Sequence, residues 1–595
     1  IIMAFSASIK SAQQKTNKFD LSGTTITTCD FFCCKPVFCS ELVPGQSVNI
    51  DCRAFARCEP IQKPLYGSAK LYHRFFFVPI RTVMSAWDDF ITQKSTFYSG
   101  ASIMSQVPYI KNDVLVDMFV NALSFQSTSL VNVVDSEVSQ GGAYDFYLQS
   151  NPPHYYRFTS VGKRLYDILV SLGFSINFSS YDETPLSALP LLSFCRIFFD
   201  FYRNSAFSDA GQYASLEKWF SRVAAVGVTS PFISLTRDQV GSLLMSVYRV
   251  FYEQDYFTLN QINAVGGNYV TFSSNDLVSD PGGNVVTVGS NAKPFLETGV
   301  SPQSTAREAV YQYGLDTLKA FTDYVKRQAL AGWKAADRYL ARFGITLSDS
   351  KLNQSIYLGR QVLDLQISDV MSNADTSGAS LGDYSGKGVF VGDSGKISYS
   401  ASEFGFLICV QSCVPMTGYV QGRPRYMQHF KRFDFYSPEF DRAGMQATRF
   451  DELFADFKTK EQVEIFNNVY DAEFAPDNVF GYLPRYAEYK VGRDILSGDF
   501  ICNSRNAQLD GYHFFRLFDF TDNTDPRRVI GSSFCYGDQA QFDRIFTETS
   551  GFNDGITCVI RFIDNSYSPM SQLFENYDFD GFKQVQLDLQ GRHVQ

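Results

Sequence analysis

From Leu71 to Pro79 the chain reads LYHRFFFVP, an apolar run closed by proline, and the pattern predicts a β-strand. Ahead of it, residues 24–39 and 47–58 are rich in Thr, Val, Ile, Phe and Cys and flank the turn ELVPGQ. They predict two strands around a Pro-Gly turn. The period then changes. In VGKRLYDILVSL, Leu165, Ile168, Leu169 and Leu172 share one helical face, with Ser160 placed to cap and Gly173 to terminate. Pro190 suits the first turn of a helix in LPLLSFCRIFFDFYRNS. A longer helical pattern covers 306–343, with apolar Leu318, Phe321, Val325 and Tyr339, with Arg338 and Arg342 near its negative end, and with Gly344 as its stop. Residues 259–305 and 371–400 are Gly-, Ser- and Asn/Asp-rich and predict surface loops. From 401 onward short aromatic strands return between Pro and Gly turns, and no tandem repeat is present. A β framework at both ends with insertions between predicts a mainly β chain built on one jelly roll. Its expected parts are a flexible arm at 1–23 and a single domain at 24–595. That domain carries insertions at 91–258 (helical), 259–305, 306–344 and 371–400.

Composition sharpens this picture. Of 595 residues, 45% are hydrophobic, enough for a real core, and 16% are aromatic, with 56 Phe and 34 Tyr against 3 Trp. Charged residues are only 19%, below the roughly 25% of an ordinary soluble domain. Aromatic enrichment with few charges is how the core of a protein interface differs from free surface, and it points to a subunit of an assembly. The net charge of −10 argues against a general nucleic-acid binder, so contact with DNA would need local basic patches or a basic partner. No stretch reads as a signal peptide or membrane span, which predicts a soluble protein made in a reducing cytoplasm.

The candidate chemistry dissolves on inspection. Twelve cysteines include the cluster CDFFCCKPVFC, which has neither CxxC spacing nor a nearby histidine and reads as small buried hydrophobes rather than a metal site. Gly392-Asp393-Ser394-Gly395 resembles the nucleophile segment of chymotrypsin-like proteases, but Lys396 and Ile397 follow it and no histidine sits in a matching context. A Gly-rich turn is the simpler reading. The five histidines are scattered, and His73 reads as a core residue of its strand. No catalytic residue, metal ligand or cofactor is assigned, and an enzyme is not expected.

Several ordered segments resemble the major capsid protein of microviruses, the small tailless phages with circular single-stranded DNA, in their gokushovirus-like branch. They begin with Glu41-Leu42-Val43-Pro44-Gly45 and the Phe75-Phe76-Phe77-Val78-Pro79-Ile80-Arg81 stretch with Trp87 and Phe90. Leu189-Pro190, Asp255-Tyr256-Phe257-Thr258, Arg338-Tyr339 before Phe343-Gly344-Ile345, and Tyr357-Leu358-Gly359 follow in the same order. Tyr419 with Gln421-Gly422 and Arg425, then Asp434-Phe435-Tyr436-Ser437-Pro438, then Phe480-Gly481-Tyr482 to Tyr486-Ala487-Glu488-Tyr489-Lys490 complete the set.

The resemblance implies an eight-stranded antiparallel jelly roll with large insertions, whose subunits form pentamers and then a T=1 icosahedral shell around circular single-stranded DNA. It implies a surface protrusion, for which 259–305 is the candidate. It also implies further partners: a DNA pilot or minor capsid protein, a small basic internal protein, and a host-cell receptor contacted by surface loops. The alternative is a stand-alone jelly-roll attachment protein that binds a receptor or carbohydrate. Two candidate sites follow. Tyr482, Arg485, Tyr486, Tyr489 and Lys490 are expected at an inter-subunit contact or bracing a strand beside one, because Tyr and Arg give large contact area with few rotors. Lys10, Lys15 and Lys18 of the arm, with Arg423, Arg425, Tyr426, Lys431 and Arg432, are expected to face DNA, since single strands want cationic grooves with aromatic platforms.

Overall fold

The computed structural model describes most of residues 16–260, 339–346, 353–368, 387–453, 479–516 and 545–570. Residues 1–15, 261–338 and 571–595 lie outside that description, as do shorter stretches including 93–106, 204–233, 369–386, 454–478 and 517–544. The expected protrusion loop and nearly all of the expected long helix fall among the latter residues. The chain divides into two compact units, each assembled from separated segments. The first comprises Ile1–Thr258, Asn353–Gly422 and Arg493–Gln595; the second comprises Leu259–Leu352 and Arg423–Gly492.

The first unit is built on one antiparallel sheet. Its strands are β1 (Asn17–Asp20), β2 (Gly23–Cys29), β3 (Cys34–Leu42), β4 (Ser47–Cys58), β5 (Ala69–Pro79), β6 (Ile356–Ser368), β7 (Lys387–Val391), β8 (Gly395–Ser400), β9 (Gly405–Pro415) and β10 (Ile556–Ser568). The order is β1-β10-β4-β7-β6-β5-β9-β3, with β2 also on β10 and β8 also on β4. β1 and β2 pair with successive halves of β10, and β7 and β8 with successive parts of β4, so ten segments occupy eight strand lines. That is the expected eight-stranded jelly roll, mainly β with helical insertions.

The sheet curls until its ends meet. Phe562 of β10 lies 4.9 Å from Phe38 of β3 and 6.1 Å from Phe75 of β5, and Thr25 of β2 donates to the Val37 carbonyl of β3. Period-two alternation drives this, because burying one face of each strand requires a facing layer. On β10, Ile556, Cys558, Ile560 and Phe562 are buried while the residues between them face outward. β5 is buried on both faces because helices cover its outer side, which explains its unbroken apolar run. α3 (Leu189–Ile197) lies on β5 and β9, α2 (Ser160–Ser171) on β3, and α1 (Asn112–Asn121) packs against α4 (Arg237–Val247). Pro190 opens α3, and Gly173, at φ +96°, closes α2, as the sequence predicts. No described helix is long and apolar enough to cross a membrane.

Three expectations are corrected. Asn17–Asp20, within the arm expected over 1–23, is strand β1. The strand expected over 24–39 is two strands, because Phe32 turns the chain at φ +58° between them. The loop expected over 371–400 contains β7 and β8, and Gly392-Asp393-Ser394 is the break between them. A Cβ on Gly392 would meet the Val362 carbonyl oxygen at 2.1 Å, and Gln361 donates to the Asp393 carbonyl. The protease-like tetrapeptide is therefore a structural kink whose first glycine is required by close backbone approach.

Two buried polar features organise the first unit. Gln361, His73 and Gln411 stand side by side across β6, β5 and β9, inside the barrel. Cys52 donates to Gln361 at 3.1 Å, and Gln411 donates to Cys558 at 3.2 Å. Outside the barrel, α2 is held by buried ion pairs: Lys163 to Asp554 at 2.9 Å and Arg164 to Asp30 at 2.7 Å. The ten described free cysteines are buried in eight cases and half-buried in two, as the apolar reading requires.

Two outcomes follow. Burial lowers the His73 pKa from 6.5 to about 4. The unfolded chain takes up a proton between those values and the folded chain does not. Stability is therefore complete above the unfolded value and is lost as pH falls towards the folded one, by ~3 kcal/mol in all. His73→Gln, which extends the glutamine row, should flatten that part of the pH–stability curve in urea titrations; an undiminished slope would assign the acid sensitivity elsewhere. Asp554→Asn strands a buried ammonium and should cost about 3 kcal/mol, and adding Lys163→Met should restore most of it in thermal melts.

Candidate functional site: an aromatic surface cluster

The interface candidates and the Arg423–Arg432 segment both belong to the second unit. Its scaffold is an antiparallel hairpin of Met445–Arg449 and Val479–Pro484, in which Tyr482 pairs with Ala447. After Pro484 the chain bends at Tyr486, a non-glycine residue held at φ +64°, and enters a short 3-10 turn over Ala487–Tyr489. The left-handed conformation costs of order 1 kcal/mol, so its surroundings must fix it. They do. The Tyr486 backbone N–H donates to Gln446 Oε1 at 2.8 Å, and its phenol accepts from the Ser437 N–H at 3.1 Å and reaches the Phe435 carbonyl at 3.4 Å. Gln446 Nε2 donates in turn to Glu488. Gly481 fits because Asn260 packs 2.7 Å from where a Cβ would stand.

Around this brace lies a set of rings. Tyr436 is 4.9 Å from Tyr486 and 6.1 Å from Tyr489, and His429 is 5.4 Å from Phe435 and 6.3 Å from Tyr489. Its outward members are Phe435, Tyr436 and Tyr489, each about half exposed, and on the segment just before them Tyr426, Met427 and Phe430 are about three-fifths to four-fifths exposed. So many exposed large apolar side chains within two short segments are unusual for a free surface.

The expected interface residues separate into two kinds. Tyr486 is 2% exposed and braces the turn from within. Tyr489 and Lys490 are exposed, while Tyr482 and Arg485 are half-buried, Arg485 lying 5.3 Å from the Tyr486 ring centroid. Lys490 is held by Asp441 at 2.7 Å. The expected DNA-facing set is not one patch. Arg425 is a brace, bonded to buried Glu452 at 2.6 Å and to the Ala447 carbonyl at 3.0 Å. Arg423, Tyr426 and Arg432 are exposed, and Lys18 stands exposed on β1 in the first unit. Lys10, Lys15 and Lys431 lie outside the described residues. Sequence reasoning missed His429, Phe430, Phe435 and Gln446. The aromatic density of HFKRFDFY carried the signal, but only folding shows which rings face out.

Among the described residues no cluster of His, Cys, Asp or Glu is placed to hold a metal ion. What the cluster offers is contact area with polar edges. Tyr486→Ala should cost about 3–5 kcal/mol by opening a cavity, whereas Tyr489→Ser and Phe430→Ser should each stay within about 0.5 kcal/mol of the parent. Chemical denaturation of the three variants distinguishes brace from surface; equal losses would show that the outer rings are core.

The chain matches the family described as capsid protein (F protein) over residues 7–118 and 306–546. It is similar to the capsid protein VP1 of Chlamydia phage 1, at 22% identity over 563 residues, covering 86% of this chain and 88% of that protein. It is equally similar to the capsid protein VP1 of Bdellovibrio phage phiMH2K, at 22% identity over 548 residues, covering 86% and 87% respectively.

Proposed function

The chain belongs to the capsid protein (F protein) family, and from that membership we propose how this structural subunit of a virion works. It self-assembles through pentamers into a T=1 icosahedral shell that encloses circular single-stranded DNA, and it performs no catalysis of its own. Assembly takes place in the cytoplasm of the bacterial host. A minor capsid or pilot protein and a small basic internal protein complete the particle, and the loops on its outside meet the host surface.

The observation that carries this reading is the exposed ring cluster of the second unit. A closed shell needs each subunit to bind copies of itself through several symmetric contacts, and each contact can be modest because ring closure multiplies it. A standard protein contact removes about 800 Å² per partner from water and is anchored by a few aromatic or arginine side chains. Tyr489, Tyr436 and Phe430, backed by a turn whose polar groups are already satisfied, have that character. The rigid backing matters because little conformational entropy remains to be lost on association.

A stand-alone attachment protein is the competing reading, and it predicts a small oligomer. Light scattering and negative-stain microscopy of the purified protein should show round particles of uniform size; a monomer or trimer that persists at high concentration would overturn assembly. Tyr489→Ser combined with Phe430→Ser should cut particle yield several-fold while the subunit stays folded.

A further inference from the structure

The outward face of β2, β10 and β4 has no part in the ring cluster. Strand register writes its surface row by row. Val559 of β10 lies opposite Ile26 of β2 on one side and Phe55 of β4 on the other, an apolar row across three strands. Those three side chains are 44%, 81% and 44% exposed respectively. In one flanking row Arg561 lies opposite Arg53; in the other Thr557 lies opposite Arg57, whose guanidinium sits 5.0 Å from the Phe55 ring centroid. Cross-strand neighbours are about 5 Å apart and successive rows on one face about 7 Å, so the three arginines frame a short apolar platform.

This face is basic in a chain of net charge −10. Asp51 takes two N–H groups of Arg53 on one oxygen, at 2.9 and 3.1 Å, yet the Arg53 side chain stays 63% exposed with donors to spare. Among the described residues no carboxylate pairs with Arg57 or Arg561. Two arginines directly opposite on one face repel, and only an anionic counterpart turns that cost into a gain. Spaced guanidinium groups suit phosphates, and an exposed Ile-Val-Phe row suits the faces of unpaired bases. The facing residues otherwise are threonines, which cannot read base edges with much discrimination.

We propose that this sheet face is where the subunit holds single-stranded DNA: Arg53, Arg57 and Arg561 take backbone phosphates, and the Ile26–Val559–Phe55 row takes bases without sequence preference. The inference rests on the reading of the chain as the shell of a single-stranded DNA particle. It moves the DNA contact from the Arg423–Arg432 segment of the second unit to the jelly roll of the first.

The test uses full-length protein and an oligothymidylate of about 20 nucleotides, long enough for one to several single-strand sites. Binding is followed by fluorescence anisotropy between 50 and 200 mM salt, a range over which phosphate contacts weaken visibly. Arg57→Gln with Arg561→Gln should weaken binding at least about tenfold and flatten the log–log salt slope by about 1.4, the loss of two phosphate contacts. Phe55→Ser should weaken binding and leave the slope unchanged. Circular dichroism checks that each variant is folded, and native particles are assayed for nucleic acid in parallel. Unchanged affinity in the double arginine variant, with the parent binding and its particles filled, overturns the site and spares the capsid reading. Folded arginine variants that bind normally but do not assemble make this face a protein contact, which also overturns it. Native particles without nucleic acid sink the enclosing-shell reading itself.

Discussion

The first unit depends on one pairing, that of β10 with β4 and with β1 and β2. β10 closes the barrel from inside with Phe562 and supplies the hydrogen-bonding edge on which the N-terminal strands lie. The residues it joins are remote: Thr28 bonds Asp554 across 526 positions of sequence. Closing so long a loop costs entropy before any contact repays it, although that cost grows only slowly with length. Without β10, β4 would present an open edge and the inward faces of β3 and β5 would lose their cover. The N-terminal strands β1 and β2 and the late strand β10 thus form one part of the sheet, and the segments of the second unit lie between them in the sequence.

An acidic, aromatic chain thus carries two chemically different surfaces, one on each unit. The barrel fixes the alternation of β2, β4 and β10, and so sets an arginine-bearing face outward opposite a core of Ile, Cys and Phe. The second unit is drawn from segments that leave the barrel and return, and it carries the exposed rings. Polar groups inside each unit are placed rather than excluded. The Gln361–His73–Gln411 row and the Tyr486–Gln446–Glu488 chain pin a register and a strained turn, tasks that nondirectional apolar contact does poorly.

How much of this was legible in the sequence varies with the range of the cause. β5, the Pro44-Gly45 turn, α2 and α3 follow from local period and terminators, and they stand where the pattern puts them. The split at Phe32 was not visible, because nothing local tells that a phenylalanine will turn the chain. The collinear pairs β1/β2 and β7/β8 depend on a partner strand far away, so a glycine-rich stretch that reads as a loop proves half strand. The family resemblance singled out the segment from Phe480 to Lys490. It could not show that Tyr486 points in while Tyr489 points out, since the two stand only three positions apart, at the entry to and end of one short turn. The arginine face was readable in principle: SVNIDCRAFARC alternates, and its odd-numbered members run Ser47, Asn49, Asp51, Arg53, Phe55 and Arg57.

The cysteines carry a last consequence. Burial raises the Cys52 thiol to about 12 and pushes Cys409 and Cys413 well above the ordinary range, so in the folded barrel these sulfurs are both shielded and protonated. Alkylating reagents attack thiolates, and here a thiolate forms only when the strands part. The rate at which these positions are modified is therefore a clock for barrel opening. The chain carries its own unfolding gauge, one that needs no added label and can be read inside an intact particle.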